Sequence, residues 1–262
     1  MNGTSGLHIH RARHLGILGG MGPLASAELV QTIYRLNVVE PEQEAPAVVL
    51  YSDPSIPDRT KAILAGDTRE LAARLIDALE ALVANGAHRI IIACITIHEV
   101  LPQVPDSLRA RVVSLLDLVV DALRAAPGPY LLLATIGTRR ARIFEHHPSW
   151  SEVADRVLFL DEEDQQHLHE SIYRFKQGEP VEPFLPWLES LLGRYGAEGL
   201  IFGCTELHLL QRPLARLDTG GAPLRVIDPL LIAAQKVDQF LGIDRRPLDA
   251  AASEIESVRP TG

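Results

Sequence analysis

The chain has 262 residues, with 25 Lys and Arg against 34 Asp and Glu, which gives a formal net charge of −9. This acidic balance argues against a nucleic-acid-binding surface, and 47% hydrophobic residues is ordinary for a globular protein with a well-formed core. The longest apolar runs are about half of the ~20 residues that span a bilayer, and no signal-like apolar segment opens the chain. We therefore expect a cytoplasmic protein with no membrane partner.

Short apolar strands alternate with amphipathic helices along the chain. The predicted strands are His14–Gly20, Pro46–Asp53, His88–Thr96, Arg111–Leu116, Tyr130–Thr138, Val157–Asp161, Glu198–Cys204 and Leu224–Asp228. The predicted helices are Leu24–Val38, Thr68–Asn85, Asp117–Ala125, Arg139–His146, Glu162–Lys176, Phe184–Tyr195 and Leu230–Leu241. Near-continuous apolar strands separated by helices are typical of parallel sheets covered on both faces, so the pattern predicts an α/β fold.

The segment Pro127-Gly128-Pro129 interrupts this alternation near the middle of the chain, as a linker between domains would. Each half then contains a cysteine-bearing strand near its end. We expect two similar parallel-sheet α/β domains that face each other across an active-site cleft. The first would comprise residues 1–126 and 224–262, with the C-terminal helix returning to it, and the second residues 127–223.

The only two cysteines end strand-like runs in matching surroundings. Cys94 follows Ile90–Ala93, and Cys204 follows Leu200–Gly203. Each thiol is expected at the carboxyl end of a buried strand, where a helix dipole and free N–H groups would lower its pKa. A thiolate on one face of a substrate and a thiol on the other can remove a proton from carbon and return it from the opposite side. The pair therefore points to racemisation or epimerisation without a cofactor.

Other interpretations of the cysteines stay open. His98 and His208 each follow a cysteine by four residues, so the two pairs supply the ligand types of a zinc site. A disulfide would need an oxidising compartment, which the lack of an export signal does not favour. Both thiols could also be small buried core residues. We expect no bound metal.

A glycine-rich segment, Gly19–Pro23, joins the first strand to the first helix. Its glycines allow the backbone to approach a ligand, and the helix that follows favours an anion such as a carboxylate. The spacing matches neither the dinucleotide motif nor the phosphate loop of nucleotide-binding proteins, so NAD and ATP are not indicated. A tight turn without a ligand explains the segment equally well.

Five motifs occur in a fixed order: Gly16–Ala25, Ile56–Thr60, Leu133–Thr138, Gly203–Glu206 and Ile227–Pro229. Together they resemble the cofactor-independent aspartate/glutamate racemase family, most closely its aspartate racemase branch, and the resemblance covers Leu15 to Phe240. It implies two α/β domains with the active site between them, often in a homodimer. It also implies that Cys94 and Cys204 are the paired acid and base and that no cofactor is needed.

The resemblance further implies that Arg59 and Lys176 bind the side-chain carboxylate of the substrate. Arginine offers a planar, bidentate match to a carboxylate, and lysine adds a compact charge, so the two would select an acidic amino acid. Either residue taken singly could be an ordinary surface charge. The other substrate-binding candidates are Met21, Gly22, Ile95, Thr96, Thr138 and Thr205, and the supporting candidates are His98 and Glu206.

The residue after the first cysteine departs from the family pattern. The family motif usually reads Cys-Asn-Thr-Ala-His, whereas this chain has isoleucine at positions 95 and 97. Asparagine provides a donor and an acceptor that help to hold the substrate's α-group, and isoleucine provides neither. Three outcomes fit this change: a racemase that holds its substrate differently, an enzyme for a modified acid, or a catalytically weak relative.

These features predict a PLP-independent racemase that interconverts the L and D forms of an acidic amino acid, aspartate first and glutamate next. Two alternatives remain. One is an isomerase of an unsaturated diacid that uses a single cysteine as a nucleophile. The other is a small-molecule-binding relative without turnover.

Overall fold

The computed structural model of the chain describes residues 13–215 and 224–244, and two four-stranded parallel sheets form its framework. The first sheet contains β1 (His14–Gly19), β2 (Val48–Ser52), β3 (Ala87–Ile92) and β4 (Val112–Val113), in the order β2-β1-β3-β4. The second contains β5 (Tyr130–Ala134), β6 (Val157–Phe159), β7 (Gly199–Gly203) and β8 (Arg225–Ile227), in the order β6-β5-β7-β8. The predicted α/β fold with two similar parallel sheets is confirmed, since the strand order is the same in both.

Helices connect the strands and cover the sheets. The α-helices are α1 (Pro23–Leu36), α2 (Arg59–Ala65), α3 (Arg69–Ala84), α4 (Asp106–Arg109), α5 (Leu115–Ala125), α6 (Ile136–Arg140), α7 (Glu162–Lys176), α8 (Leu185–Tyr195), α9 (Gln211–Leu214), α10 (Pro229–Gln235) and α11 (Val237–Leu241). Short 3-10 helices cover Glu42–Glu44, Thr96–Gln103, Trp150–Glu152, Ala154–Arg156, Glu182–Phe184 and Thr205–Leu210. None of the helices in the described ranges is long and apolar enough to cross a membrane.

The hydrophobic core is continuous between the two sheets. One buried cluster contains Ile17 of β1, Tyr130 of β5, Ile201 of β7 and Leu230 of α10, so it joins both halves. Two further clusters lie within single halves, under α3 in the first and under α7 and α8 in the second. The central strands are buried because helices lie on both faces of each sheet, which explains their unbroken apolar sequences.

The position of β8 changes the expected division of the chain. Residues 224–262 are expected in the first domain, whereas β8 pairs in parallel with β7 and therefore belongs to the second sheet. The helices that follow it, α10 and α11, pack against α1, α5 and β1 of the first half. Residues 1–12, 216–223 and 245–262 of the expected domains lie outside the described residues.

Three predicted boundaries were wrong for local reasons. The strand expected to run to Thr138 ends at Ala134, because the Thr135 side chain accepts a hydrogen bond from the Thr138 N–H and begins α6. The next predicted helix is replaced by α6 and a turn in which Arg142 has φ 53°. The last predicted helix is broken into α10 and α11 at Lys236.

Candidate active site

The structure places the two cysteines at equivalent points of the two sheets. Cys94 lies two residues beyond the end of β3, and Cys204 directly follows β7; each strand is the third in its sheet. A 3-10 helix begins just after each cysteine, at Thr96 and at Thr205. Both thiols are free and buried.

A nearly closed cavity between the two halves brings the thiols and most of the other candidates together. It is lined by Asp58, Arg59, Thr60, Cys94, Ile95 and Thr96 from the first half and by Thr135, Tyr173, Lys176, Cys204, Thr205 and Glu206 from the second. Its volume is about 10 Å³, close to the smallest space that holds one water molecule. The residues that line the cavity must therefore move before a larger molecule can enter.

Arg59 is anchored to the wall of this cavity by backbone carbonyls. Its Nη2 donates to the Met21 carbonyl over 2.6 Å, and its Nη1 donates to the carbonyls of Ile56 and Pro57 over 3.3 and 3.1 Å. Since a guanidinium has five N–H donors, at most two remain for a substrate carboxylate. Met21 thus contributes its carbonyl oxygen to the site, through the orientation of Arg59.

Cys204 has a carboxylate as its immediate neighbour. Its Sγ donates a hydrogen bond of 2.9 Å to Glu206 Oε2, and Lys176 Nζ lies 3.9 Å from Glu206 Oε1. Burial and the Glu206 charge raise the pKa of the Cys204 thiol well above its ordinary value, although Lys176 opposes them. The predicted lowering of the thiol pKa is therefore wrong for Cys204, because burial of the thiol and the adjacent carboxylate outweigh the effect of a short 3-10 helix.

Gly22 makes room for this carboxylate. A Cβ atom built at Gly22 would lie 2.2 Å from Glu206 Oε1, so any larger residue would displace the Glu206 side chain. Gly22 therefore acts through packing, at the turn that begins α1. The glycine-rich segment also needs Gly20, whose φ is 91° and whose Cβ would lie 2.3 Å from the backbone of Asp53.

The two histidines that follow the cysteines are engaged in different ways. His98 Nδ1 lies 3.0 Å from the Cys94 carbonyl and 3.1 Å from that of Ile95, so it carries the hydrogen and donates to them. Burial lowers the pKa of His98, which keeps the ring neutral. His208 contacts Asp228 over 2.6 Å and Thr32 over 3.0 Å. No group of three or more His, Cys, Asp or Glu side chains that could hold a metal ion occurs in the described ranges.

Threonine hydroxyls join the two halves around the cavity. Thr96 Oγ1 lies 3.2 Å from Thr135 Oγ1 and 2.9 Å from Thr138 Oγ1, and the last two hydroxyls are 3.1 Å apart. Thr205 Oγ1 donates to the Ala93 carbonyl over 3.0 Å. Hydroxyl groups both donate and accept, so the three clustered threonines can reorient to bind a polar group of a substrate.

Tyr173 closes the cavity on the side of Arg59 and Lys176. Its hydroxyl donates to Asp58 Oδ2 over 2.7 Å, and Lys176 Nζ lies 4.8 Å from its ring centroid. Burial and the Asp58 carboxylate raise the pKa of Tyr173 far above its usual value. Burial alone would raise the pKa of Asp58, but hydrogen bonds from the Lys61 N–H and the Tyr173 hydroxyl outweigh it, and the pKa is lowered.

Sequence reasoning missed four of the lining residues. Asp58 and Thr60 flank Arg59 in the motif Ile56–Thr60, and Thr135 lies in the motif Leu133–Thr138, so their positions could have identified them as site residues. Tyr173 precedes Lys176 by three residues on α7, and residues at this spacing share a helix face. Ile95 does line the cavity, but it is only 1% exposed and belongs to the hydrophobic cluster that joins the two halves.

The sequence is similar to those of known proteins. The family model described as Asp/Glu/Hydantoin racemase matches residues 18–237. An uncharacterized protein from the pnlA 3' region of Pectobacterium carotovorum subsp. carotovorum is 33% identical over 107 residues, which are 39% of this chain and 69% of that protein.

Known structures share the fold. The aspartate racemase of Picrophilus torridus superposes with a TM-score of 0.69 at 22% identity, over 89% of this chain and 100% of that one. The glutamate racemase of Francisella tularensis subsp. tularensis SCHU S4, in complex with D-glutamate, superposes with a TM-score of 0.58 at 16% identity, over 96% and 85% of the two chains.

Proposed function

The chain belongs to the Asp/Glu/hydantoin racemase family, a family of isomerases, and we propose that it racemises an acidic amino acid without a cofactor, with Cys94 and Cys204 as its two acid–base groups. Aspartate is the first expected substrate and glutamate the second. The observation that carries the proposal is the meeting of two thiols from equivalent strands in one cavity, with Arg59 and Lys176 on its wall.

The proposed reaction moves one proton across the substrate. In one direction the Cys94 thiolate removes the proton from the α-carbon, and the Cys204 thiol protonates the opposite face. The hydrogen bond from Cys204 to Glu206 and the raised pKa of Cys204 keep this thiol protonated, as its role as acid requires. In the other direction the roles are exchanged, and Glu206 is placed to receive the proton that Cys204 must first lose. Because both thiols must be reduced, the mechanism fits a cytoplasmic location.

The cationic pair supports an acidic substrate. Arg59 retains at most two free N–H donors, which is the number that a bidentate contact to one carboxylate uses. Lys176, at the C-terminal end of α7, adds a charge within the same cavity. The names of the two racemases with this fold, one for aspartate and one for glutamate, agree with a dicarboxylic amino acid.

Solvent deuterium provides the test. The protein is incubated with L-aspartate in deuterated water, and NMR follows the α-proton while chiral chromatography follows the enantiomers. We expect wild type to label the α-carbon and form D-aspartate, with no effect of a chelator. Cys94→Ala and Cys204→Ala should each stop racemisation while the circular dichroism spectrum stays native. Full racemisation by either variant would refute the two-thiol mechanism.

The same experiment separates the alternatives. An isomerase of an unsaturated diacid would change the geometry of an alkene substrate such as maleate without labelling any amino acid, and one cysteine variant would retain activity. A protein that only binds its ligand would be stabilised against heat by aspartate but would label nothing. A metal-dependent enzyme would lose its activity with the chelator.

We also propose a homodimer, formed through an apolar surface at the edge of the first sheet. This surface consists of Leu50 and Tyr51 on the edge strand β2 and of Tyr34, Leu36 and Val38 at the end of α1, which are 38–81% exposed. An unpaired strand edge with apolar side chains favours association with another chain. Leu50→Arg should give a monomer in size-exclusion chromatography with light scattering, whereas Leu64→Arg, on exposed α2, should not. A wild-type monomer would refute this part.

A further inference from the structure

Basic side chains surround an open pocket at the end of the first sheet that is opposite the cysteines. Arg13, His14, His88 and Arg111 line this basic pocket, whose volume is about 620 Å³, and Arg89 follows His88 in the chain. Arg13 and Arg111 immediately precede β1 and β4, and His14 and His88 are the first residue of β1 and the second residue of β3. No Asp or Glu is present among the described residues that line the pocket.

Arg13 and Arg111, the two arginines of the basic pocket, and the neighbouring Arg89 are held by backbone carbonyls. Arg13 donates to the Leu241 carbonyl over 3.2 Å, Arg89 to that of Ala110 over 3.2 Å, and Arg111 to that of Ala87 over 3.3 Å. Across residues 13–215 and 224–244 none of them forms an ion pair, whereas ten other arginines there do. Arg59, in the active-site cavity, shows the same anchoring by carbonyls.

The positive charges of the basic pocket act on one another. His88 is exposed, and slight desolvation together with the charges of Arg13, Arg111 and Arg89 lowers its pKa. A bound anion would relieve the repulsion between the guanidinium groups, and their planar donors match the oxygens of phosphate or carboxylate groups.

We propose that the basic pocket binds a small polyvalent oxyanion. It is a site separate from the catalytic cavity, because His88 and Cys94 are six residues apart along β3 and its continuation, or roughly 20 Å in an extended strand. The proposal does not depend on the racemase activity. Phosphate and carboxylate compounds are the two sources of such an anion, so the test uses one of each.

Isothermal titration calorimetry of the full chain with sodium pyrophosphate and with sodium citrate, at constant ionic strength, tests the proposal. We expect saturable binding of at least one of them, and the one that binds more tightly identifies the source. Arg13→Gln and Arg111→Gln should each weaken that binding by at least about tenfold, since each removes a charge-assisted contact. The matched control, Arg109→Gln, removes an exposed arginine that already pairs with Asp106 and should leave binding unchanged.

Two further results would overturn the proposal. One is the absence of saturable binding to wild type by either anion. The other is loss of binding in Arg59→Ala with retention in Arg13→Gln, which would place the anion in the catalytic cavity. If circular dichroism shows that Arg111→Gln does not fold, the Arg13→Gln variant alone provides the test, because Arg13 is exposed. Equal anion binding by Arg13→Gln and by wild type would then refute the site.

Discussion

Replacing Arg59 by alanine tests the substrate class most directly. The structure leaves this guanidinium at most two free N–H donors, and each hydrogen bond to a charged group contributes about 1.5–3 kcal/mol. Two such bonds amount to about 3–6 kcal/mol, or about 10²–10⁴-fold in kcat/KM. We expect a loss of kcat/KM in this range for aspartate, mostly as a higher KM. The kcat should also fall if Arg59 positions the α-carbon between the two thiols.

The control must separate binding from folding, because Arg59 also satisfies three backbone carbonyls. Each buried acceptor left unpaired costs about 1–3 kcal/mol of stability, so Arg59→Ala should melt at a lower temperature. Arg59→Lys keeps the charge but loses the fork geometry, and Lys61→Ala removes an exposed charge from the same helix. We expect an intermediate kcat/KM from the first and no change from the second. A folded Arg59→Ala protein with wild-type kinetics on aspartate would refute the assignment.

Three further changes probe the other walls of the cavity. Glu206→Gln removes the charge that helps to raise the pKa of Cys204, so the pH profile of Cys204 alkylation should move to lower pH. An unchanged profile would contradict the effect of Glu206 on the pKa of Cys204. Tyr173→Phe removes the bond to Asp58 that closes the cavity, so KM for aspartate should rise by about tenfold with little change in kcat. Ile95→Asn should raise aspartate turnover and lower the melting temperature; unchanged turnover would indicate a different substrate.

The fold was predictable because each central strand is apolar on both faces and each half repeats the same order of elements. The positions of Cys94 and Cys204 followed from the strands that precede them. Errors arose where one side chain decides a boundary, as Thr135 does by capping α6, or where pairing depends on distant residues, as for β8. A single-sequence pattern indicates that a strand exists but carries no information about which neighbour it pairs with.

The candidates from the sequence include eight of the twelve residues that line the cavity, but the sequence did not give the electrostatics of the cavity. A helix after Cys204 suggested a lowered thiol pKa, yet the pKa is raised, because the thiol is buried and donates a hydrogen bond to the Glu206 carboxylate. The sequence also did not show that Arg59 is held by three carbonyls or that Tyr173 reaches Asp58. Such contacts depend on how the two halves approach each other, which local patterns do not encode.

The two halves share a topology but do not give the two thiols equal surroundings. Two residues after Cys94 comes Thr96, which contacts other hydroxyls, whereas two residues after Cys204 comes Glu206, which accepts the thiol hydrogen. Enantiomers have equal free energies in solution, so kcat/KM must be the same in both directions however unequal the thiols are. The asymmetry is therefore expressed in kcat and KM separately. In the direction in which Cys204 acts as the base, this thiol must lose its proton first. The kcat of that direction should therefore rise at higher pH, because the pKa of Cys204 is raised.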